Sequence, residues 1–243
     1  MQNKRSNQFW LLTLTSLGFF MSMMDSMIIT TASTSIRTDF KISVSTLQWA
    51  LNAYNITIAA VLLVGVAFGE RFGRRKIYNL GIGIFTLGSL LCALSPNITS
   101  LVLARIVAGI GASVMTPMSM AILTNTLPVA KRGKALGIWS GIGGLALIIG
   151  PSLGGLIVST LSWQWIFWIN IPIGIIGILL TSHYLPESLG SATPINPLDA
   201  SLIIISSASI IWALSTSTSS PRPIVSILVG CFGLVLVGYF IQR

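Results

Sequence analysis

Residues 47–95 read LQWALNAYNITIAAVLLVGVAFGERFGRRKIYNLGIGIFTLGSLLCALS. Two apolar runs, 47–69 and 77–95, meet at a short junction that holds Glu70, Arg71, Arg74, Arg75 and Lys76. A helix needs about 20 mostly apolar residues to cross the hydrocarbon of a bilayer, and both runs reach that length. Their charges are confined to the turn between them, where water is available. The same grammar extends in both directions. Further apolar runs fall at 9–31, 98–120, 135–159 and 164–183, with two weaker ones at 200–217 and 223–240. Backbone polar groups inside lipid must be satisfied within the segment or in a closed barrel. Runs of this length therefore predict an all-α integral membrane protein with eight spans.

Composition agrees. Hydrophobic residues make up 53% of the 243-residue chain and charged residues 8%, whereas soluble domains carry about 25% charged residues. The first run, preceded by Lys4 and Arg5, is too long for the core of a secretory signal, and seven more follow it. The net charge of +9 does not point to nucleic acid, because of where it sits. Lys4 and Arg5, the 70–76 junction, and Lys131, Arg132 and Lys134 fall on one side of the predicted bilayer. The 95–98 and 159–163 connections carry no charge, and the first connection on that side holds only Arg37, Asp39 and Lys41. Short basic loops stay cytoplasmic, which predicts a cytoplasmic N-terminus in a multi-pass protein of the cell (plasma) membrane. The 184–199 connection, placed on the cytoplasmic side, holds Glu187 and Asp199; acidic residues weigh little in that rule.

No enzyme chemistry is encoded in a recognisable pattern. Cys92 and Cys231 both fall inside spans, His183 stands alone, and no metal-ligand spacing, nucleophile–base set or phosphate-binding glycine loop occurs. We expect no catalytic residues, no metal and no cofactor. The organisation predicted is a six-helix unit at 1–185, a linker at 186–199 containing three prolines, and an additional two-helix hairpin at 200–243.

Two ionisable side chains lie well inside confident spans: Asp25 in the first and Arg105 in the fourth. A charge at the bilayer centre costs about 2.5–3.5 kcal/mol on insertion scales, so such residues face a partner or a cavity. Asp25 falls in the outer half of its span, where it can exchange protons or attract a cation. Arg105 keeps its charge and needs an acceptor; both residues lie in the outer half, so a pair between them is open. Gly109, Ala112 and Thr116 follow Arg105 on one small, polar face suited to close packing or to lining a cavity. All methionines after Met1 lie in these two spans: Met21, Met23, Met24, Met27, Met115, Met118 and Met120. Flexible thioethers suit surfaces that accept varied apolar partners, and they also serve as lipid-facing material. The fifth span carries Gly137, Gly141 and Gly144 along one face, then Gly150-Pro151-Ser152-Leu153-Gly154-Gly155. Pro151 frees the carbonyl of Leu147 and favours a bend. A faint echo links Arg71-Phe72-Gly73-Arg74 with Lys131-Arg132-Gly133-Lys134, as three-helix repeats would produce.

Several of these segments resemble signature motifs of the major facilitator superfamily. Glu70-Arg71-Phe72-Gly73-Arg74-Arg75 resembles the loop 2–3 motif, and Leu101, Arg105, Gly109, Gly111 and Ala112 resemble the fourth-helix motif. Gly150-Pro151-x-x-Gly154-Gly155 resembles the antiporter motif of the fifth helix. Trp163-Gln164-Trp165 through Asn170 and Pro172, with Met24-Asp25, resembles the fourteen-helix drug:proton antiporter branch, in which a helix pair follows helix six. Departures are Val66 for the first glycine of the loop motif, Glu70 for its Asp, Ala108 for a Gln, Ala146 for a Gly, and Gln164 for an Arg. The resemblance implies the N-terminal half of that fold, lacking a C-terminal six-helix half. It implies proton coupling or cation recognition at Asp25 with support from Arg105, and a cytoplasmic charge lock of Glu70 with Arg71, Arg74 and Arg75. Pro151 and its glycines would shape the antiporter hinge.

The expected function is proton-driven efflux of lipophilic or cationic small molecules, with the proton gradient in place of a cofactor. The chain would act with a second transporter half or by self-association. The competing expectation is an inactive or regulatory truncated membrane protein that does not transport by itself.

Overall fold

The computed structural model describes residues 2–190, 197–217 and 223–242. Much of the expected linker (191–196) and the polar turn at 218–222 lie outside the described residues, as do the side chains of Lys4 and Arg5. The described chain is helical throughout: α1 (Gln2–Phe40), α2 (Val44–Phe72), α3 (Arg74–Ala93), α4 (Ile98–Thr126), α5 (Val129–Thr160), α6 (Trp165–Trp168), α7 (Asn170–Tyr184), α8 (Pro197–Ser217) and α9 (Pro223–Gln242). Six apolar helical segments are long enough to cross a membrane, the sixth formed by α6 and α7 together, and shorter apolar stretches lie in α8 and α9.

Local chemistry explains the boundaries. Asn97 and Ser100 form a reciprocal capping box at the start of α4, with Ser100 N donating to Asn97 Oδ1 at 2.9 Å. Ser43 accepts from Thr46 N at the start of α2. Such caps satisfy amides that have no intrahelical partner. The α2–α3 turn is made by one residue: Gly73 has φ +108°, a conformation an L side chain rarely adopts. Pro172 sits in the first turn of α7, where its missing N–H costs nothing.

Two boundaries differ from the expectation. Helix α1 continues to Phe40 rather than stopping near 31, since Ser and Thr lower hydropathy without breaking a helix; Thr38 Oγ1 donates back to Thr34 O. Helix α5 begins at Val129, so Lys131, Arg132 and Lys134 occupy its first turns instead of a loop. The echo between the two basic segments is therefore not structural: Gly73 makes a turn, and Gly133 lies inside a helix.

The main packing pairs are α3 with α4, α1 with α5, and α2 with α4; α7 lies on α3, and the α8–α9 pair rests on α2 through α8. Trp49 of α2 and Trp212 of α8 stack at 6.2 Å. Glycines set the α3–α4 distance. A Cβ at Gly111 would lie 2.6 Å from Gly81 O and 2.7 Å from Phe85 Cα, and a Cβ at Gly88 would lie 2.6 Å from Ala108 Cα. The core divides into two apolar clusters. One, towards the α2–α3 turn, includes Leu14, Met21, Tyr54, Phe85, Ala108 and Met115. The other, towards the opposite end, includes Ile28, Ala50, Cys92, Leu101, Ala104 and Phe167. Between them α1, α2, α3, α4 and α7 each place a polar side chain.

Candidate functional site

That polar layer is built around Asp25 and Arg105. The Arg105 guanidinium donates from Nη1 to Asp25 Oδ2 in an ion pair whose side chains are 0% and 1% exposed. Arg105 also lies over the Tyr54 ring, its Cζ 3.9 Å from the centroid. A desolvated cation–π contact of this kind contributes about 2 kcal/mol. The Tyr54 hydroxyl is held at Ser22, donating to its carbonyl at 3.2 Å. Asn170, the first residue of α7, donates from Nδ2 to Asp25 Oδ1 at 3.5 Å and to Ser89 Oγ at 3.3 Å. Asp25, Ser89, Arg105 and Asn170 are all buried. The pairing of Asp25 with Arg105, left open by the sequence, is thus made, and Asn170, Ser89 and Tyr54 join it from three further helices. Asn170 was quoted in the sequence only as a motif position, and Ser89 and Tyr54 carried no signal.

Burying two ions costs several kcal/mol each, and the cost is offset only with good geometry and further hydrogen bonds. Here the carboxylate is contacted by a guanidinium and an amide, and the guanidinium by a carboxylate and an aromatic face. Neutralising Asp25 would remove the ion pair while leaving Arg105 charged among apolar side chains, so the arrangement is sensitive to the charge of one carboxyl group.

A second polar cluster occupies the α2–α3 turn. Arg74 is bidentate to Glu70, with Nε–Oε1 at 2.8 Å and Nη2–Oε2 at 2.7 Å, one helical turn apart in sequence. Arg75 instead reaches Glu187, at 3.7 Å, and donates from Nη1 to Leu185 O and Ser182 O at the end of α7. Glu187 accepts from the amides of Arg75 (3.0 Å) and Lys76 (3.2 Å), capping α3, whose first turn has no acidic residue of its own. Backbone bonds from Arg74 N to Ser188 O and from Gly190 N to Glu70 O tie the 185–190 segment across the turn. The expected lock of Glu70 with all three arginines is therefore divided. Arg71 stands apart, exposed over the Phe72 ring at 5.4 Å. Glu187, read only as a loop carboxylate, is the residue missed.

In α5, the antiporter-like segment faces α1. A Cβ at Gly150 would lie 2.9 Å from Met27 Cβ, and one at Gly154 would lie 3.2 Å from Ile28 O. Gly155 is looser, Pro151 is exposed, and α5 continues through it as one helix. The face of Gly137, Gly141 and Gly144 is open: a Cβ at any of them would meet nothing within 4 Å. The small face following Arg105 packs rather than lining a space, with a Cβ at Gly109 falling 2.9 Å from Tyr54 O. The methionine reading changes too. Met21, Met24, Met115 and Met118 are buried, the last two against Gly81 and Gly69, whereas Met23 and Met27 are half-buried and Met120 is exposed.

Comparison with known proteins places this architecture. Residues 15–242 match the family model described as Major Facilitator Superfamily. The chain is 39% identical over 181 residues to the riboflavin transporter RibZ of Clostridioides difficile, which covers 74% of this chain and 40% of that protein. It is 37% identical over 185 residues to the multidrug resistance protein Stp of Mycobacterium tuberculosis (strain CDC 1551 / Oshkosh), covering 75% of this chain and 34% of the relative. The chain thus spans less than half the length of these curated relatives. Among solved structures, a peptide transporter of the POT type superposes with a TM-score of 0.70 at 14% identity, covering 96% of this chain and 51% of that one. The relatives named are transporters, and with the family model matching nearly its whole length the chain belongs to the major facilitator superfamily.

Proposed function

We propose that this chain is the N-terminal portion of a proton-coupled multidrug antiporter in the plasma membrane, with its N-terminus in the cytoplasm. The observation that carries this reading is the buried Asp25–Arg105 pair, the two buried charges among the described residues, held by residues from five helices. Its substrates are lipophilic or cationic small molecules, in keeping with relatives named for multidrug resistance. Proton binding at Asp25 releases Arg105 from its partner, and that change of charge drives the switch between inward- and outward-open states. The Glu70–Arg74 and Arg75–Glu187 contacts hold the cytoplasmic end of one of those states. Gly150 and Gly154 keep α5 close to α1, so motion at Asp25 is passed to α5.

Alternating access in such folds works by rocking one half against the other about a midplane site, so this portion acts with a second transporter half, supplied by more chain, a partner or another copy. The RibZ relationship favours a second reading, transport of a polar metabolite. Energised cells producing the chain, with and without a co-produced C-terminal half, separate these readings. Uncoupler-sensitive efflux of a fluorescent lipophilic cation, lost in Asp25→Asn while the protein remains in the membrane, is the expected result. Efflux unaffected by Asp25→Asn would refute the proton-coupling role. Riboflavin accumulation without cation efflux would favour the metabolite reading. No transport in either arrangement, despite a membrane-inserted chain, would leave the competing inactive or regulatory reading.

A further inference from the structure

The end of the bundle that carries the α2–α3 turn also carries cations that the ion-pair cluster does not use. Of its described carboxylates, Glu70 and Glu187 are engaged by Arg74 and Arg75, and Asp199 stands in the first turn of α8. Lys131 and Lys134, in the first turns of α5, have no carboxylate within 4.0 Å among the described residues, and both are exposed. Two cavities meet beside them. One, of about 520 Å³, is lined by Gln8, Lys131, His183 and Tyr184 over a floor that includes Leu11 and Leu127. The other, of about 410 Å³, shares Gln8 and Lys131, adds Lys134, and runs along Leu12, Ala135 and Ile138 between α1 and α5. The composition changes in order: apolar side chains along the helices, two ammonium groups at the mouth, then a polar recess.

Arg132 does not compete for this space, since its Nε donates to Leu127 O at 3.0 Å across the α4–α5 turn. At the same end, Trp10 stacks on Tyr184 with centroids 4.5 Å apart and planes 11° apart. Aromatic rings of this kind mark the headgroup level of a bilayer. Unpaired lysines at that level, beside a groove continuous with the helix surface, complement an anionic amphiphile, and basic pockets between membrane helices bind anionic lipid headgroups.

We infer that these joined cavities form a binding site for one anionic phospholipid. Its phosphate lies between Lys131 and Lys134, its polar head enters the recess beside Gln8, His183 and Tyr184, and an acyl chain follows the Leu12–Ala135–Ile138 groove. The site is separate from the Asp25–Arg105 layer, and it stands whether or not that layer couples protons.

The test uses the whole chain purified in a neutral detergent and native mass spectrometry of retained lipid. Phosphatidylglycerol is titrated against phosphatidylcholine with the same acyl chains. Each lysine near a membrane surface contributes about 5-fold in anionic-lipid affinity. Wild type is therefore expected to retain phosphatidylglycerol on the order of 20-fold more strongly, and Lys131→Gln/Lys134→Gln to retain both lipids equally. The charge-matched double variant Lys41→Gln/Lys76→Gln, outside the grooves, is expected to keep the preference. All these substitutions are at exposed positions, and helical circular dichroism with a single size-exclusion peak verifies each fold. Equal retention by wild type would overturn the inference. Equal loss in both double variants would overturn it as well, since attraction would then be diffuse. Displacement of the bound lipid by millimolar inorganic phosphate would show a phosphate site instead of a lipid site.

Discussion

Replacing Arg105 by Met keeps most of the side-chain volume and deletes two interactions at once. The Asp25 carboxylate, 0% exposed, loses its guanidinium partner, and the Tyr54 ring loses the cation lying 3.9 Å from its centroid. Breaking a buried ion pair by removing one partner costs about 3–5 kcal/mol, because a lone charge remains among apolar atoms. The cation–π contact adds about 1–2 kcal/mol. Arg105→Met should therefore destabilise the bundle by roughly 4–7 kcal/mol. Asp25→Asn, which leaves the guanidinium facing a neutral amide, should cost about 3 kcal/mol. The double variant has no stranded charge and should cost only about 2 kcal/mol, the lost ring contact and hydrogen bonds. The cycle then yields a coupling of about 5–8 kcal/mol between the two positions. Equilibrium unfolding in mixed micelles, followed by circular dichroism, measures each corner. A coupling below about 1 kcal/mol, the range of exposed pairs, would mean the two side chains do not meet in a dry interior.

Other substitutions probe the remaining contacts. Gly111→Val places a branched side chain where even a Cβ falls 2.6 Å from Gly81 O; we expect a loss of more than about 3 kcal/mol, read as a collapse of thermal stability in micelles. Gly137→Ala, on the open face of α5, should instead be neutral or stabilise by up to about 1 kcal/mol, and a large loss would show that this face is packed. Glu187→Ala removes the acceptor of two α3 amides and the partner of Arg75. Its cost should be about 1–2 kcal/mol, with faster hydrogen exchange confined to the amides of Arg75 and Lys76. Glu70→Gln touches a partly exposed pair across the α2–α3 turn and should cost no more than about 1 kcal/mol, an effect that fades at high salt.

The membrane architecture could be read from the chain because lipid imposes its pattern on every residue of a span, so six runs and their charged junctions stand out together. Helix ends were less legible. Hydropathy reports where hydrocarbon ends, and α1 continues past that point through Thr30, Thr31, Ser33, Thr34 and Ser35 because nothing there interrupts its hydrogen bonds. The contact of Glu70 with Arg74 was within reach because only four positions separate them, on either side of the turn at Gly73. Glu187 was not, since it meets Arg75 across 112 positions of sequence and nothing local distinguishes it from a solvated loop carboxylate. The same holds at the centre. Asp25 and Arg105 announce themselves by being charged inside apolar runs, but Tyr54, Ser89 and Asn170 are unremarkable until three-dimensional register brings them to one level.

That register has a mechanical consequence. Asp25 belongs to α1, Tyr54 to α2, Ser89 to α3, Arg105 to α4 and Asn170 to α7, so five helices each own one terminal of the same circuit. The α3 and α4 terminals are further joined by glycine-to-backbone contact that leaves no room for relative sliding. A single added or removed charge at Asp25 has no private side-chain shell in which to relax. In the proposed antiporter such a change would be answered by the bundle as a body, turning a chemical event a few ångströms wide into a displacement on the scale of whole helices.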